Sequence, residues 1–259
     1  MTKELILIKL GGSLITNKKS SQPECRIELI KYVANIISKS DKKFIIVHGA
    51  GSYGHPIAKK YKINKGLDGS YEQKEAINTA RMQVRELNEI VCSEMEKVEL
   101  KCESVIPSNT MEIDNEDNIL NFPKNDFDKI LSKGKVALTF GDVVKNNEND
   151  VRILSGDTIL LKLSQIYKPK KTFFIMEYPG VVKGNLKSEN LEIYEEINSE
   201  FTSKISIVNE ENRPDVTGGL LKKIECALEI SKNSDCWITG VNNLNKCING
   251  RPEGTRVVR

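Results

Sequence analysis

The chain has 259 residues, of which 39% are hydrophobic and 29% charged, and its 39 basic and 36 acidic side chains give a formal net charge of +3. This composition is typical of one folded domain, or two lobes, around a sizeable core. The interleaved charges argue against nucleic-acid binding, and no apolar run approaches the ~20 residues of a membrane-spanning helix. Because the sequence has no secretion signal and no C-x-x-C pair, we expect a cytoplasmic protein whose six cysteines are reduced and mostly buried, with no metal site.

Apolar segments of strand length and helix length alternate along the chain. Short continuous apolar runs are typical of buried parallel strands, and apolar residues repeated every three or four positions are typical of helices. In chain order these patterns predict a strand at 4–10, a helix at 27–38, a strand at 44–47, a helix at 71–98, a strand at 136–139, a helix at 158–166, a strand at 172–176, a helix at 220–230 and a strand at 236–239. Strands separated by helices predict an α/β fold whose mostly parallel sheet is covered on both faces. The polar stretches 115–118 and 146–150 are predicted to be loops or hairpin tips.

A pair of glycines follows the first predicted strand, in the segment Lys9-Leu-Gly-Gly-Ser13. Adjacent glycines allow backbone N–H groups to approach an anion closely, and Lys9 and Lys18 flank the pair with positive charge. The segment therefore suits a phosphate group, although a plain turn with surface lysines explains the same residues.

Both histidines of the chain bracket the loop after the second predicted strand, His48-Gly-Ala-Gly-Ser-Tyr-Gly-His55. A glycine-rich turn between a strand and a helix can place a phosphate at the N-terminus of that helix. The spacing G-x-G-x-x-G is weak evidence by itself, and the Lys-Ser/Thr of a P-loop is missing. A lone histidine is usually structural, which we expect for His48, whereas His55 follows the loop and is expected to face a bound anion.

Two further segments place glycines at the start of a predicted helix. Asp215-Val-Thr-Gly-Gly219 precedes Lys223, and Ser155-Gly-Asp157 precedes the helix at 158–166. Helix N-termini attract anions, but Ser155 or Asp157 can equally be a simple N-cap, and the lysines can be solvated. Three glycine-rich turns with nearby lysines suit two phosphate-bearing groups better than one mononucleotide. They indicate phosphoryl transfer, and the lack of an H-R-D-type base favours an acceptor that is already an anion.

Together these segments, with Gly141-Asp-Val-Val144, resemble the amino acid kinase superfamily and, within it, the isopentenyl phosphate kinases. The most specific element is His55, which relatives that phosphorylate carboxylates generally lack but fosfomycin-resistance kinases share. The resemblance implies a three-layer αβα sandwich with an open, mostly parallel central sheet, in a single domain at 1–259 with an acceptor lobe at 1–155 and an ATP lobe at 156–259. It also implies a homodimer that uses ATP and Mg²⁺ to convert isopentenyl phosphate to isopentenyl diphosphate in isoprenoid biosynthesis.

The resemblance implies roles for individual residues as well. Lys9 and Lys18 would face the transferring phosphoryl group, with Lys18 stabilising the transition state, and Asp157 would orient the lysines. His55 would hydrogen-bond the acceptor phosphate, and the helix at 71–98 would wall the pocket for its isoprenoid tail. The residues implied to contact ATP are Lys9, Gly11, Gly12, Ser13, Gly51, Asp157, Gly180, Gly218 and Lys223. Those implied to contact the acceptor are Ala50, His55 and Gly141.

The segment Met176-Glu-Tyr-Pro-Gly180 departs from the family, in which T-D-V-D-G is common, on the nucleotide side of the site. Two alternative functions stay open. One is a kinase of the same fold for another small phosphate, a fosfomycin-like phosphonate or a carboxylate, and the other is a non-catalytic nucleotide- or anion-binding protein. The presence of Lys9, Lys18 and Asp157 favours a kinase, and an apolar slot for the tail would favour a prenyl acceptor.

Overall fold

A computed structural model describes residues 3–17, 20, 22–146, 150–184, 191–201 and 218–259. Within these ranges, helices and strands alternate along most of the chain. The helices that position the core and the site are α1 (Gly12–Ile15), α2 (Ile27–Ser38), α3 (His55–Lys60), α4 (Tyr71–Glu96), α5 (Pro107–Thr110), α6 (Lys124–Ser132), α7 (Gly156–Tyr167), α8 (Gly218–Ser231) and α9 (Leu244–Ile248). The strands are β1 (Leu5–Leu10), β2 (Lys43–His48), β3 (Cys102–Ser104), β4 (Glu112–Ile113), β5 (Ile119–Asn121), β6 (Val136–Phe140), β7 (Asp142–Asn146), β8 (Asp150–Leu154), β9 (Lys171–Met176), β10 (Glu196–Ile197), β11 (Asp235–Gly240) and β12 (Thr255–Val257).

Eight of these strands form a central sheet in the order β10-β12-β11-β9-β1-β2-β6-β3. Every neighbouring pair is parallel except β11 and β12. Parallel neighbours need crossover connections, which the helices between the strands supply. Because β1, β2, β6 and β9 all run the same way, their carboxyl ends meet at one edge of the sheet, where an α/β fold places its ligands.

The central strands are apolar on both faces because both faces are covered. Leu7, Val47 and Phe174 pack into one core cluster with residues of α6, α7 and α8. Ile6 and Phe44 pack into a second cluster with residues of α2, α4 and α9. The two clusters lie on opposite sides of the sheet and give the three-layer αβα arrangement, so the predicted fold class is confirmed.

A smaller sheet with the strand order β5-β4-β7-β8 flanks the end of β6. It includes the β7–β8 hairpin, which pairs Asp142 with Leu154 and Asn146 with Asp150. All nine predicted helices and strands are confirmed, with shifts of a few residues at their ends, and the predicted loop at 115–118 connects β4 to β5. The small sheet itself was not predicted, because strands of two to five residues give too short an alternation to detect.

The cysteines are all free, but only half of them are buried. Cys226, Cys236 and Cys247 are buried, whereas Cys25, Cys92 and Cys102 are partly exposed. The expectation that most are buried is wrong, because the last turns of α4, which carry Cys92, and the start of β3, which carries Cys102, lie at the edge of the core. Among the helices of the described chain, none has the length and apolar character required to cross a membrane.

Candidate active site

The glycine-rich loops that follow β1 and β2 pack backbone against backbone. Leu10 pairs with His48 at the carboxyl ends of the two parallel strands, so both chains turn out of the sheet side by side. A Cβ atom on Gly12 would lie only 2.5 Å from the backbone nitrogen of Gly51. Gly51 itself has a φ of +52°, in the left-handed region that favours glycine. The close approach of these loops therefore depends on glycine at both positions.

Thr16 fastens the two loops together. Its buried hydroxyl donates a hydrogen bond to the carbonyl of Gly12 at 2.7 Å and accepts one from the backbone N–H of Ser52 at 3.0 Å. The amide of Gly11 donates to the carbonyl of Ile175 on β9 at 3.0 Å. That amide is engaged in holding the sheet, which leaves the backbone N–H groups of Gly12 and Ser13 as the better candidates for contact with an anion. No role was predicted for Thr16, because a threonine next to a turn has many structural explanations.

Asp157 joins two lysines that are far apart in the sequence. Its Oδ1 lies 3.0 Å from the Nζ of Lys9, on β1, and its Oδ2 lies 2.8 Å from the Nζ of Lys223, on α8. The side chains of Lys9, Asp157 and Lys223 are only 7%, 14% and 15% exposed. The Lys9 ammonium also borders the second glycine-rich loop, since a Cβ on Gly49 would lie 3.6 Å from it. Two positive charges are thus fixed at the edge of the sheet where the glycine-rich loops meet.

The protonation of this cluster follows from its burial and its charges. Burial would raise the pKa of Asp157, but the ammonium groups of Lys9 and Lys223 outweigh it and hold this pKa well below its usual range. Burial lowers the pKa of Lys9, and Lys223 acts in the same direction, while Asp157 opposes both. Asp157 is therefore a carboxylate at neutral pH, and its negative charge opposes the loss of a proton from Lys9.

The start of α7 places Asp157 between the lysines. The Ser155 hydroxyl accepts a hydrogen bond from the backbone N–H of Thr158 at 3.1 Å, so the N-cap reading of Ser155 is confirmed. A Cβ on Gly156 would lie 2.6 Å from the Cε of Lys9, so this glycine makes room for the lysine stem. Gly141 packs equally closely, since a Cβ there would lie 3.0 Å from the nitrogen of Gly156. The backbones of the loops after β2, β6 and β8 therefore pack closely around Lys9.

The two histidines have different surroundings. His48 is fully buried, stacks on Phe140 with ring centroids 5.2 Å apart, and has a pKa that burial lowers to about 4. It is therefore neutral at physiological pH and belongs to the packing beneath the loop. His55 is the first residue of α3 and is exposed on the outer side of the same loop.

An apolar cluster lies directly beyond His55. Its buried members come from three elements and are Ala58 on α3, Ile77 and Ala80 on α4, and Val143 on β7, together with Ile63. One turn further along α4, Val84 packs against Ala50 of the glycine-rich loop and Phe140. The apolar stripe of α4 was visible in the sequence, but its partners on β7 and β8 were not, because the small sheet that brings them there was not predicted.

A family model matches most of this chain. The match extends over residues 4–240, and the model describes the amino acid kinase family. The chain belongs to the amino acid kinase family. The glycine-rich loops and the Lys9–Asp157–Lys223 cluster are therefore parts of an amino acid kinase domain, as their resemblance to that family implied.

Several curated relatives of this amino acid kinase are isopentenyl phosphate kinases. One from Methanocaldococcus jannaschii is 27% identical and one from Methanothermobacter thermautotrophicus is 28% identical, each over 98% of both chains. A solved structure of an isopentenyl phosphate kinase matches with a TM-score of 0.83 at 24% identity, over 98% of this chain and 99% of that one. A carbamate kinase from Giardia lamblia bound to AMP-PNP matches with a TM-score of 0.69 at 14% identity, over 99% of both chains. These structures show that the fold is that of the amino acid kinases.

Two further predicted residues of this kinase, Gly180 and Gly218, lie next to β9 and α8. Gly218 begins α8, whereas Lys18 and residues 215–217 lie outside the described residues. Gly180 follows β9, and a Cβ there would lie 2.6 Å from the hydroxyl oxygen of Thr255. Glu177, in the loop that departs from the family pattern, forms an ion pair with Arg26 at 3.0 Å. That pair connects the loop after β9 to the start of α2.

Proposed function

We propose that this protein is an ATP-dependent isopentenyl phosphate kinase, which transfers the γ-phosphoryl group of ATP to isopentenyl phosphate and releases isopentenyl diphosphate and ADP. The observation that carries the proposal is the pair of lysines, one buried and one largely buried, held by Asp157 beside two closely packed glycine-rich loops, with an apolar cluster next to His55. Two anionic groups can meet at the lysines while an apolar tail is buried beside them. The curated relatives of this name, matched over nearly their whole length, support the same reaction.

The reaction does not require the protein to remove a proton from the acceptor. A phosphate monoester has a second pKa near 6, so its oxygen is already a nucleophile at neutral pH. That oxygen bonds to the γ-phosphorus while the bond from phosphorus to the bridging β–γ oxygen breaks, and the electron pair leaves on ADP. The main obstacle is repulsion between two anions, which positioned positive charges and N–H donors reduce.

Each residue of the site addresses that repulsion. We assign to Lys9 contacts with the donor and acceptor phosphates, at the place where the two glycine-rich loops meet. We assign to Lys223 a contact with the nucleotide. Asp157 is a positioning residue that fixes both ammonium groups. Lys18 is assigned, on the family resemblance, to the transferring group in the transition state. His55 is assigned a hydrogen bond to the acceptor phosphate, to which it also lends positive charge when protonated.

Backbone groups complete the phosphate site. The amides of Gly12 and Ser13, in the first turn of α1, are assigned to the ATP phosphates, and those of Ala50 and Gly51 to the space between donor and acceptor. Amides of a first helical turn have no partner within their own helix, so they suit an anion. Gly141 is assigned to the acceptor side, and Gly180 and Gly218 to the nucleotide side.

Mg²⁺ is expected to enter as the ATP complex. In the described part of the chain, no group of three His, Cys, Asp or Glu side chains is arranged to hold a metal ion. Both oxygens of Asp157 already face lysines. The phosphates of ATP would therefore supply the inner ligands, and the ion would neutralise charge on the donor.

In this proposal the acceptor and the nucleotide bind to different parts of the chain. Residues 1–155 carry His55 and the apolar cluster and would bind isopentenyl phosphate, and residues 156–259 carry Lys223 and would bind ATP. The α3–α4 cluster around Ala80 would receive the isoprenoid tail. We also propose a cytoplasmic homodimer, which rests on the family resemblance.

The proposal is tested by measuring ADP release from Mg²⁺-ATP with each of several acceptors. Isopentenyl phosphate should give the highest kcat/KM, above dimethylallyl phosphate, fosfomycin and free amino acids. Lys18→Ala should lower kcat by about 10²-fold or more while the fold persists, because transition-state charge stabilisation is lost. Lys145→Ala, on the outward face of β7, is the matched control and should keep full activity.

Other outcomes would redirect the assignment. Turnover only with a different phosphate, phosphonate or carboxylate would keep the kinase chemistry and overturn the acceptor. ATP binding without turnover on any acceptor would favour a non-catalytic nucleotide-binding protein.

A further inference from the structure

Two cysteine side chains that the phosphoryl-transfer site does not use lie against each other at the far end of α4. Cys92 is in the penultimate turn of α4, and Cys102 is the first residue of β3, the edge strand of the central sheet. The thiol of Cys102 donates a hydrogen bond to the backbone carbonyl of Cys92, with its sulfur 3.8 Å from that oxygen. Both residues are partly exposed.

Polar neighbours favour the thiolate at Cys92. Its sulfur lies 3.5 Å from the hydroxyl oxygen of Ser104, and that hydroxyl accepts a hydrogen bond from the side-chain amide of Asn88 at 2.7 Å. Because the Ser104 hydroxyl accepts from Asn88, its own proton is free to be donated to the Cys92 sulfur, a contact in which either atom can be the donor. Asn88 is one helical turn before Cys92 and is itself buried, which fixes the geometry.

Hydrogen bonding leaves Cys92 as the more acidic thiol of the pair, in spite of the nearby carboxylates. Hydrogen bonding from the Cys102 thiol lowers the pKa of Cys92 to about 7, with Ser104 acting in the same direction, against burial and the carboxylates of Glu96 and Glu89. The same contact, together with burial, raises the pKa of Cys102, and Lys135 beside it opposes this weakly. For comparison, burial raises the pKa of the partly exposed Cys25 to about 11.

We propose that Cys92 and Cys102 form a reactive dithiol that low-molecular-weight disulfides oxidise to an intramolecular disulfide, with Cys92 as the attacking thiol and Cys102 as the resolving thiol. The Cys92 thiolate attacks one sulfur of the reagent, forms a mixed disulfide and releases one thiolate. Cys102 then loses its proton and attacks the Cys92 sulfur, which releases the second thiolate. Two electrons pass from the protein pair to the reagent, and the two thiol protons end on the two released thiols.

The first test compares alkylation rates within one sample of the folded full-length protein. Limiting iodoacetamide is added, the reaction is quenched at intervals, and peptides containing Cys92 and Cys25 are quantified by mass spectrometry. At pH 7 Cys92 should react on the order of 10²-fold faster than Cys25, since its larger thiolate fraction outweighs the lower nucleophilicity of a weaker base. Its rate should be half-maximal near pH 7 and should move to higher pH in Cys102→Ala.

The second test uses oxidised glutathione as the probe, followed by digestion without reductant. The wild-type chain and Cys25→Ser should both give a peptide crosslinked between Cys92 and Cys102. Cys102→Ala should instead accumulate glutathione on Cys92, and Cys92→Ala should give neither product. Equal alkylation of Cys92 and Cys25 would overturn the proposal, as would a stable glutathione adduct on Cys92 in the wild-type chain or a crosslink to another cysteine. The wild-type results decide the question even if a variant folds poorly.

Discussion

Replacing Asp157 by Asn removes the carboxylate between Lys9 and Lys223 and keeps the shape of the side chain. The two oxygens lie 3.0 and 2.8 Å from the ammonium nitrogens, which therefore stand only a few ångströms apart. Two unit charges roughly 5 Å apart repel by ~3 kcal/mol at an effective dielectric constant of 20, and removing one member of a buried ion pair costs ~3–5 kcal/mol. We expect Asp157→Asn to lower the free energy of unfolding by about that amount and to lower the pKa of Lys9 further.

Urea unfolding at neutral pH, followed by the fluorescence of Trp237, the only tryptophan of the chain, measures this loss. Glu229→Gln is the matched control, because it also removes a carboxylate from a lysine, Lys232, but in a more exposed pair at the C-terminal end of α8. That substitution should cost less than ~0.5 kcal/mol. Added ATP should restore part of the stability of Asp157→Asn, since its phosphates bring negative charge to the lysines. A loss below ~1 kcal/mol would show that Asp157 does not hold the two lysines in place.

Three further predictions follow from the same geometry. His48 has a pKa of about 4 in the folded protein and of about 6.5 in the unfolded chain, so only the unfolded chain binds a proton between these pH values. As the pH is lowered from 6.5 to 4, the free energy of unfolding should therefore fall by roughly 3 kcal/mol, with no further loss from this group below pH 4. The fall should be smaller in His48→Asn, and an unchanged pH profile in that variant would contradict the assignment of a neutral His48. Gly12→Ala should lower the free energy of unfolding in urea by ~2 kcal/mol or more, because the added Cβ meets the backbone of Gly51. Gly11→Ala, whose Cβ would have its nearest contact at 3.4 Å, should unfold nearly as the wild type does. Equal stability of the two variants would refute the close approach of the two glycine-rich loops. His55→Ala should raise the KM for the acceptor by about tenfold and change the KM for ATP little, because a hydrogen bond to the charged acceptor phosphate is lost. Initial-rate kinetics measure both constants. A higher KM for ATP with an unchanged KM for the acceptor would show that the two lobes are assigned wrongly.

The large sheet could be predicted because its signals are local. Each central strand is a continuous apolar run such as Phe44–Val47, and the helices between the strands repeat apolar residues at helical spacing. The small sheet could not, because β4 has two residues and β5 has three. Their pairing is decided by tertiary packing beside β7, which no local pattern contains.

The candidate site likewise combines residues that a local motif indicates with contacts that only the tertiary structure reveals. The glycines of both loops were visible as motifs, but their contact depends on the parallel register of β1 and β2. The residues alone left Asp157 open as a helix N-cap, and only the family resemblance implied that it orients lysines. It is the shared partner of two lysines, while Ser155 beside it is the cap. Nothing in the local sequence reveals that Lys223, 66 residues away, shares this carboxylate. Thr16 was equally hidden, because its partner Ser52 belongs to another strand and loop.

The most direct test of phosphoryl transfer is phosphorus NMR of a mixture of the protein, Mg²⁺-ATP and isopentenyl phosphate. Transfer predicts that the monoester signal disappears as diphosphate and ADP signals grow in equal amounts, with little inorganic phosphate. A spectrum in which ATP persists, or in which ADP and inorganic phosphate form while the monoester stays intact, would contradict the assignment of this site to phosphorylation of a phosphate acceptor.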